Sequence, residues 1–148
     1  MSKSYVMTLR LPEVLGLEVE RAAARQGHKA AQLGASLIEE GIRRRQHPLM
    51  DLRQTSTGRV AYVNGTRLAV YWVVQQIQAG SSIEGFARDS GLTAAQVRAA
   101  LVYAAAYPVE IEADAEQARE GLEWVQQQDT AARAGTPPKA TLLGKGGK

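Results

Sequence analysis

The segment Ser4-Tyr5-Val6-Met7-Thr8-Leu9-Arg10-Leu11-Pro12 constrains the fold more than any other stretch of the chain. Alternation puts Tyr5, Met7, Leu9 and Leu11 on one face and Ser4, Val6, Thr8 and Arg10 on the other, the period of a strand with one buried side. Pro12 ends it, and residues 13–45 are helical in pattern, with nothing that reads as a second strand. A lone strand leaves its backbone donors and acceptors unmet. The simplest partner is the same segment of a second copy. Two such strands form a ribbon that fits a DNA major groove and turns Val6, Thr8 and Arg10 of both copies toward base edges.

Residues 13–26 read as a helix with Pro12 at its first turn and with Glu13, Glu18 and Glu20 toward the positive end of its dipole. Its apolar face is Val14, Leu15, Val19, Ala22 and Ala23, and Gly27 is the expected stop. A second helix, from about residue 29 to 45, is predicted to bury Leu33, Leu37, Ile38 and Ile42. It closes on Arg43-Arg44-Arg45, cations that suit a helix C-terminus and could also meet flanking phosphate or the neighbouring module. So short a segment holds little core, and interlocking with a second chain is expected.

The order strand, Pro12, helix, Gly27, helix resembles the ribbon-helix-helix (Arc/MetJ-like) repressors over residues 4–45. The resemblance implies a dimer whose outward strand residues, here Val6, Thr8 and Arg10, read bases. Arg10 could grip guanine with two hydrogen bonds, and Val6, where the family more often has a polar residue, is left with a thymine methyl. The second helix opens on His28-Lys29-Ala30-Ala31 instead of the family's usual Ser or Thr, so Lys29 would supply the charge for a phosphate.

Gln46-His47-Pro48-Leu49 begins a predicted linker over residues 47–57, since Pro48 disfavours helix at His47. In residues 58–70, Asn64-Gly65 suits a type I′ turn, so the reading there is a hairpin with Ala61, Val63, Leu68 and Val70 on one face. A helix over 70–79 follows, with Val70, Val73, Val74 and Ile77 on one side. Next comes a short helix opened by Ser81 with Glu84, and then one opened by Thr93 with Gln96 that buries Val97, Ala100, Leu101 and Ala104. The last two helices, joined across Ser90-Gly91-Leu92, have the outline of a helix-turn-helix.

Three stretches of this module, Asn64-Gly65-Thr66-Arg67-Leu68-Ala69-Val70, residues 80–84 and residues 92–104, resemble a small bacterial family catalogued as domain of unknown function 433. Its members are commonly regarded as antitoxins, often encoded beside a nuclease-like toxin of the PIN type. The exposed side of the last helix is expected to be Ala94, Ala95, Arg98, Ala99 and Val102, a sparse footprint for phosphate that favours dimerisation or partner docking over DNA reading. The candidate DNA-binding set is therefore Lys3, Val6, Thr8, Arg10, Lys29 and Arg98.

Beyond Pro108 come Glu110, Glu112, Asp114, Glu116, Glu120 and Glu123. A helix over 113–128 with Ala115, Ala118, Leu122 and Val125 as its stripe makes these a solvated acidic face, with a Mg²⁺ cluster or a surface for a basic toxin as the alternatives. Residues 129–148 have the composition of a flexible basic end, and Arg133, Lys139, Leu142 and Leu143 are the candidate toxin contacts. Charge runs basic, acidic, basic. Residues 1–49 hold eight Lys/Arg against five Glu, 50–128 six Arg against nine acids, and 129–148 four Lys/Arg against one Asp, so the first module suits a polyanion.

No Cys is present, which excludes disulfides and thiolate metal sites and fits a reducing cytoplasm. The start does not read as a signal peptide, and no stretch approaches the roughly 20 apolar residues of a membrane span. His28 and His47 accompany no plausible nucleophile, and no phosphate-cradling glycine loop appears, so neither an enzyme nor a cofactor or metal is expected. The expected fold is mainly α: a ribbon-helix-helix module (1–46), the linker, a hairpin plus helix-turn-helix module (58–128) and the tail. The expected function is an antitoxin that binds its operator as a dimer or higher oligomer, represses its own promoter and neutralises a co-encoded RNase-like toxin. A stand-alone repressor and a nucleoid-associated DNA binder are the alternatives.

Overall fold

In the computed structural model of the chain, which describes residues 3–135, helix α1 (Glu13–Gln26) stops where Gly27 turns left-handed at φ 69°. Only a residue without Cβ takes that conformation at low cost, and it lets the Gly27 and His28 N–H groups donate to the last carbonyls of α1. The turn delivers the chain into α2 (Ala30–Gln46), which packs against α1. These elements make up the first of two compact units, which meet in sequence at Pro48/Leu49.

Within one chain this unit buries very little. Of its described apolar residues only Ala23 and Leu33 are buried. Val14, Leu15, Leu37, Ile38 and Ile42, predicted to face a core, are exposed, Ile42 by 51%. The reason is geometric: two helices cover only one stripe of each other, and the remaining apolar side chains find no third layer in this unit. The predicted strand over 4–12 is likewise absent from the single chain. Residues 3–12 have no regular secondary structure, and every side chain among them is exposed. A strand requires a paired neighbour, and the sheet of the described residues, β1 with β2, lies wholly in the second unit.

The second unit is built on that antiparallel pair. Strand β1 (Met50–Thr55) lies in register against β2 (Gly58–Val63), from Met50 opposite Val63 to Thr55 opposite Gly58. The predicted linker thus contains a strand, and the hairpin is displaced from the predicted 58–70. Gly58, at φ 127°, makes the β1–β2 turn possible, and Thr55 Oγ1 donates to its carbonyl at 2.8 Å. Asn64-Gly65 still reverses the chain, with Gly65 at φ 73° and Val63 N–H donating to Leu68 O at 2.9 Å. The returning limb makes one bridge, Ala69 with Tyr62, because helix α3 (Val70–Gln78) starts at the next residue. The predicted inward set keeps its facing: Ala61, Val63 and Val70 are buried and Leu68 packs against the core.

Helix α4 (Ile83–Ser90), a turn at Gly91 (φ 77°) and α5 (Ala94–Ala106) make a capped helix pair. Its first cap is Ser82, whose Oγ accepts from Gly85 N–H at 3.0 Å, and not the predicted Ser81. The second is the predicted reciprocal pair: Thr93 Oγ1 accepts from Gln96 N–H at 3.1 Å, and Gln96 Oε1 from Thr93 N–H at 2.8 Å. Helix α6 (Pro108–Arg133) is 26 residues long and begins five residues before the predicted 113, with Pro108 in the first turn, where a missing N–H costs nothing. The core joins Met50 and Leu52 of β1, Val73 of α3, Phe86 of α4, Val97 and Tyr103 of α5 and Ile111 of α6. The described chain is mainly helical, six helices with one two-stranded hairpin. No described helix is long and apolar enough to cross a membrane.

Candidate functional site

Lys3, Val6, Thr8 and Arg10 sit together on the exposed segment before α1, Val6 being 87% accessible. Lys29 occupies the N-cap position of α2, exposed and without a side-chain capping bond. Arg98 belongs to the second unit. Its Nη2 donates to Glu84 Oε1 at 2.9 Å, an exposed ion pair that ties α5 to α4 across the turn. Ala94 and Ala99, predicted to face outward beside it, are half-buried. A guanidinium so engaged, on a helix whose exposed positions include Ala95 and Val102, offers little to a phosphate backbone.

Arg133, predicted to belong to a flexible end, lies in the last turn of α6, with Nη2 at 2.9 Å from Asp129 Oδ2. Lys139, Leu142 and Leu143 lie outside the described residues. Of the predicted stripe on α6, Ala115 and Ala118 are partly buried, whereas Leu122 and Val125 are exposed.

The predicted acidic face of α6 is only partly solvated. Glu110 Oε2 accepts from the buried Tyr103 hydroxyl at 3.0 Å. Asp114 is buried at 9% exposure, and its Oδ2 has no hydrogen-bond partner among the described residues. Burial, and secondarily the charge of Glu110, push its carboxyl from 3.8 up to about 6. Asp114 lines a cleft of about 160 Å³ with Ser56 and Thr57 of the β1–β2 turn, Tyr62, Tyr71 and Gln117. Burial, then Tyr62 and Asp114, raise the Tyr71 phenol as well. Spacing from Ile111 is the signal that could have found it: 111, 114, 115 and 118 share one helical stripe, which turns Asp114 inward once the helix is known to start at Pro108. Among the described residues no three His, Asp or Glu side chains are grouped to hold a metal ion.

The chain reversal at Asn64-Gly65, followed by α3 and the capped α4–α5 pair, is the part of the fold that a known family covers. Residues 57–104 match the model of a family described as Protein of unknown function (DUF433). The DUF433 segment opens in the β1–β2 turn and ends inside α5, so it leaves out β1, the α6 wall of the Asp114 cleft and the whole first unit. No curated protein and no solved structure matches the chain.

Proposed function

We propose that the chain is an antitoxin-type repressor: two copies join through their first units, their N-terminal segments pair as a ribbon that reads operator DNA, and the DUF433 unit holds a co-encoded RNase-like toxin. The observation that carries the first half is the exposed apolar surface of the first unit. Tyr5, Met7, Leu9 and Leu11, at alternate positions of a segment that pairs with no strand among the described residues, are all exposed, as are Leu37, Ile38 and Ile42 on α2. Apolar surface on this scale, in a unit that ends at Pro48, is what a second copy would cover. The same pairing would satisfy the backbone of residues 4–11 and leave Thr8 and Arg10 outward on a unit with eight cations against five acids.

The toxin half rests on the DUF433 resemblance and on exposed Leu122, Trp124 and Val125 of α6, which give the second unit an apolar surface suited to a protein partner. Arg10→Ala is expected to weaken binding to the chain's own promoter by about 1 to 3 kcal/mol, roughly 5- to 150-fold, while lowering affinity for random DNA much less. Gel shifts with both DNAs at fixed salt measure it. An unchanged ratio of the two affinities contradicts base reading by Arg10. Copurification of the chain with its neighbouring gene product tests the toxin half separately.

A further inference from the structure

We propose that the cleft beside the β1–β2 turn receives one alkylammonium or guanidinium group, the head of a lysine or arginine side chain offered by a partner protein. Asp114 Oδ2 is a buried acceptor with no donor among the described residues. With that oxygen closed to solvent, the Asp114 carboxylate lacks the compensation that normally accompanies burial, and a cation held in the cleft that Asp114 lines would supply opposing charge. The surrounding groups narrow the class. Ser56, Thr57 and Gln117 add neutral hydrogen-bonding groups, and Tyr62 and Tyr71 line the cleft as aromatic residues of the kind that attract cations. Tyr62 already carries one such contact, the Arg53 guanidinium of β1 at 4.7 Å from its ring centre.

That arginine is committed elsewhere: its Nη1 donates to Thr66 O at 2.6 Å and its Nε to Asp51 Oδ2 at 3.2 Å. No described Lys, Arg or His lines the cleft, and Arg53 beside Tyr62 is already paired with Asp51, so a ligand bearing a phosphate or carboxylate next to its cation would meet Asp114, with Glu110 also nearby, and no uncommitted counter-charge. A divalent metal would lack ligands, since Asp114 belongs to no metal-holding group among the described residues. The volume, about 160 Å³, exceeds the roughly 10 to 15 Å³ that one water needs and suits a single head group with part of its stem. An open cleft of this size faces a protein side chain more readily than it encloses a whole small molecule.

The test is an NMR titration of the ¹⁵N-labelled full chain with n-butylammonium, methylguanidinium, n-butanol and the peptide acetyl-Gly-Lys-Gly-amide, following the amides of Thr57, Asp114 and Gln117. Both cations are expected to shift these signals and butanol is not. Asp114→Asn is expected to weaken cation binding at least tenfold. Taking the unmodified chain from pH 7.5 to pH 5 is expected to weaken it about tenfold, because the carboxyl, held at about 6 with Glu110 beside it, then carries a proton. Tighter binding of the peptide than of butylammonium supports a polypeptide source; the reverse order overturns that source in favour of free amines. Equal shifts with butanol and butylammonium, or cation binding that neither Asp114→Asn nor acid weakens, overturn the proposal. Its failure would leave the DNA-binding reading untouched, since every group in the cleft belongs to the second unit.

Discussion

Asp114→Asn is expected to stabilise the second unit at neutral pH by about 2 to 3 kcal/mol and to do almost nothing at pH 4. In the folded chain this carboxyl sits at about 6 against an ordinary 3.8, so between those values the folded state binds more protons than the unfolded one. The stability this group contributes is therefore greatest below pH 4 and falls as pH climbs through 6, the reverse of a salt-bridged carboxylate. At about 1.4 kcal/mol per pH unit the penalty reaches about 3 kcal/mol above pH 7. Asn keeps the shape and removes the charge. The corresponding rise in melting temperature at pH 7.5 is roughly 10 °C or more. Thermal unfolding of both proteins at pH 4 and pH 7.5 measures the difference. A gap of the same size at both pH values, or a loss of stability at neutral pH, would mean that the Asp114 charge is compensated.

Leu9→Asp is expected to dissociate the proposed dimer. In a two-fold assembly each substitution occurs twice, and burying one Leu side chain is worth about 1.5 to 3 kcal/mol, so the loss is about 3 to 6 kcal/mol before the cost of a buried carboxylate is added. That corresponds to a roughly 150- to 20,000-fold weaker association. Sedimentation equilibrium reads the mass, and operator binding should fall with it. Val6→Asp, on the opposite face, is expected to spare the dimer and impair only DNA binding. If Leu9→Asp and the unmodified chain have the same mass at every concentration, Leu9 lies in no interface between copies.

Local pattern predicts some parts of this chain well and misses others for definable reasons. Thr93 with Gln96, Gly27 and Gly91 act within one turn of backbone, so their spacing alone locates the helix ends. Strand β1 is hidden because Asp51, Arg53 and Gln54 are poor strand formers, and only Met50 and Leu52 carry the inward alternation. Asn64-Gly65 is a strong turn signal and does turn the chain, yet which segment pairs with β2 is decided at a distance, by the early start of α3. Asp114 escapes notice for a related reason. An acid in a run of acids reads as solvated, and its burial follows only when α6 is extended back to Pro108 and docked on α3. The first unit is the opposite case: its helices fall where the pattern predicts, but its predicted core remains open, since periodicity tells which side chains seek cover and not which chain provides it.

The most direct test of the proposed pairing of N-terminal segments is amide hydrogen exchange over residues 4–11 as protein concentration is raised through the range in which the proposed dimer would form. Pairing with a twin predicts slow exchange that appears with the dimer, alternates along the segment, and is lost in Leu9→Asp. Fast, uniform exchange of these amides in a chain that sediments as a dimer would contradict the ribbon and, with it, the proposed mode of reading DNA.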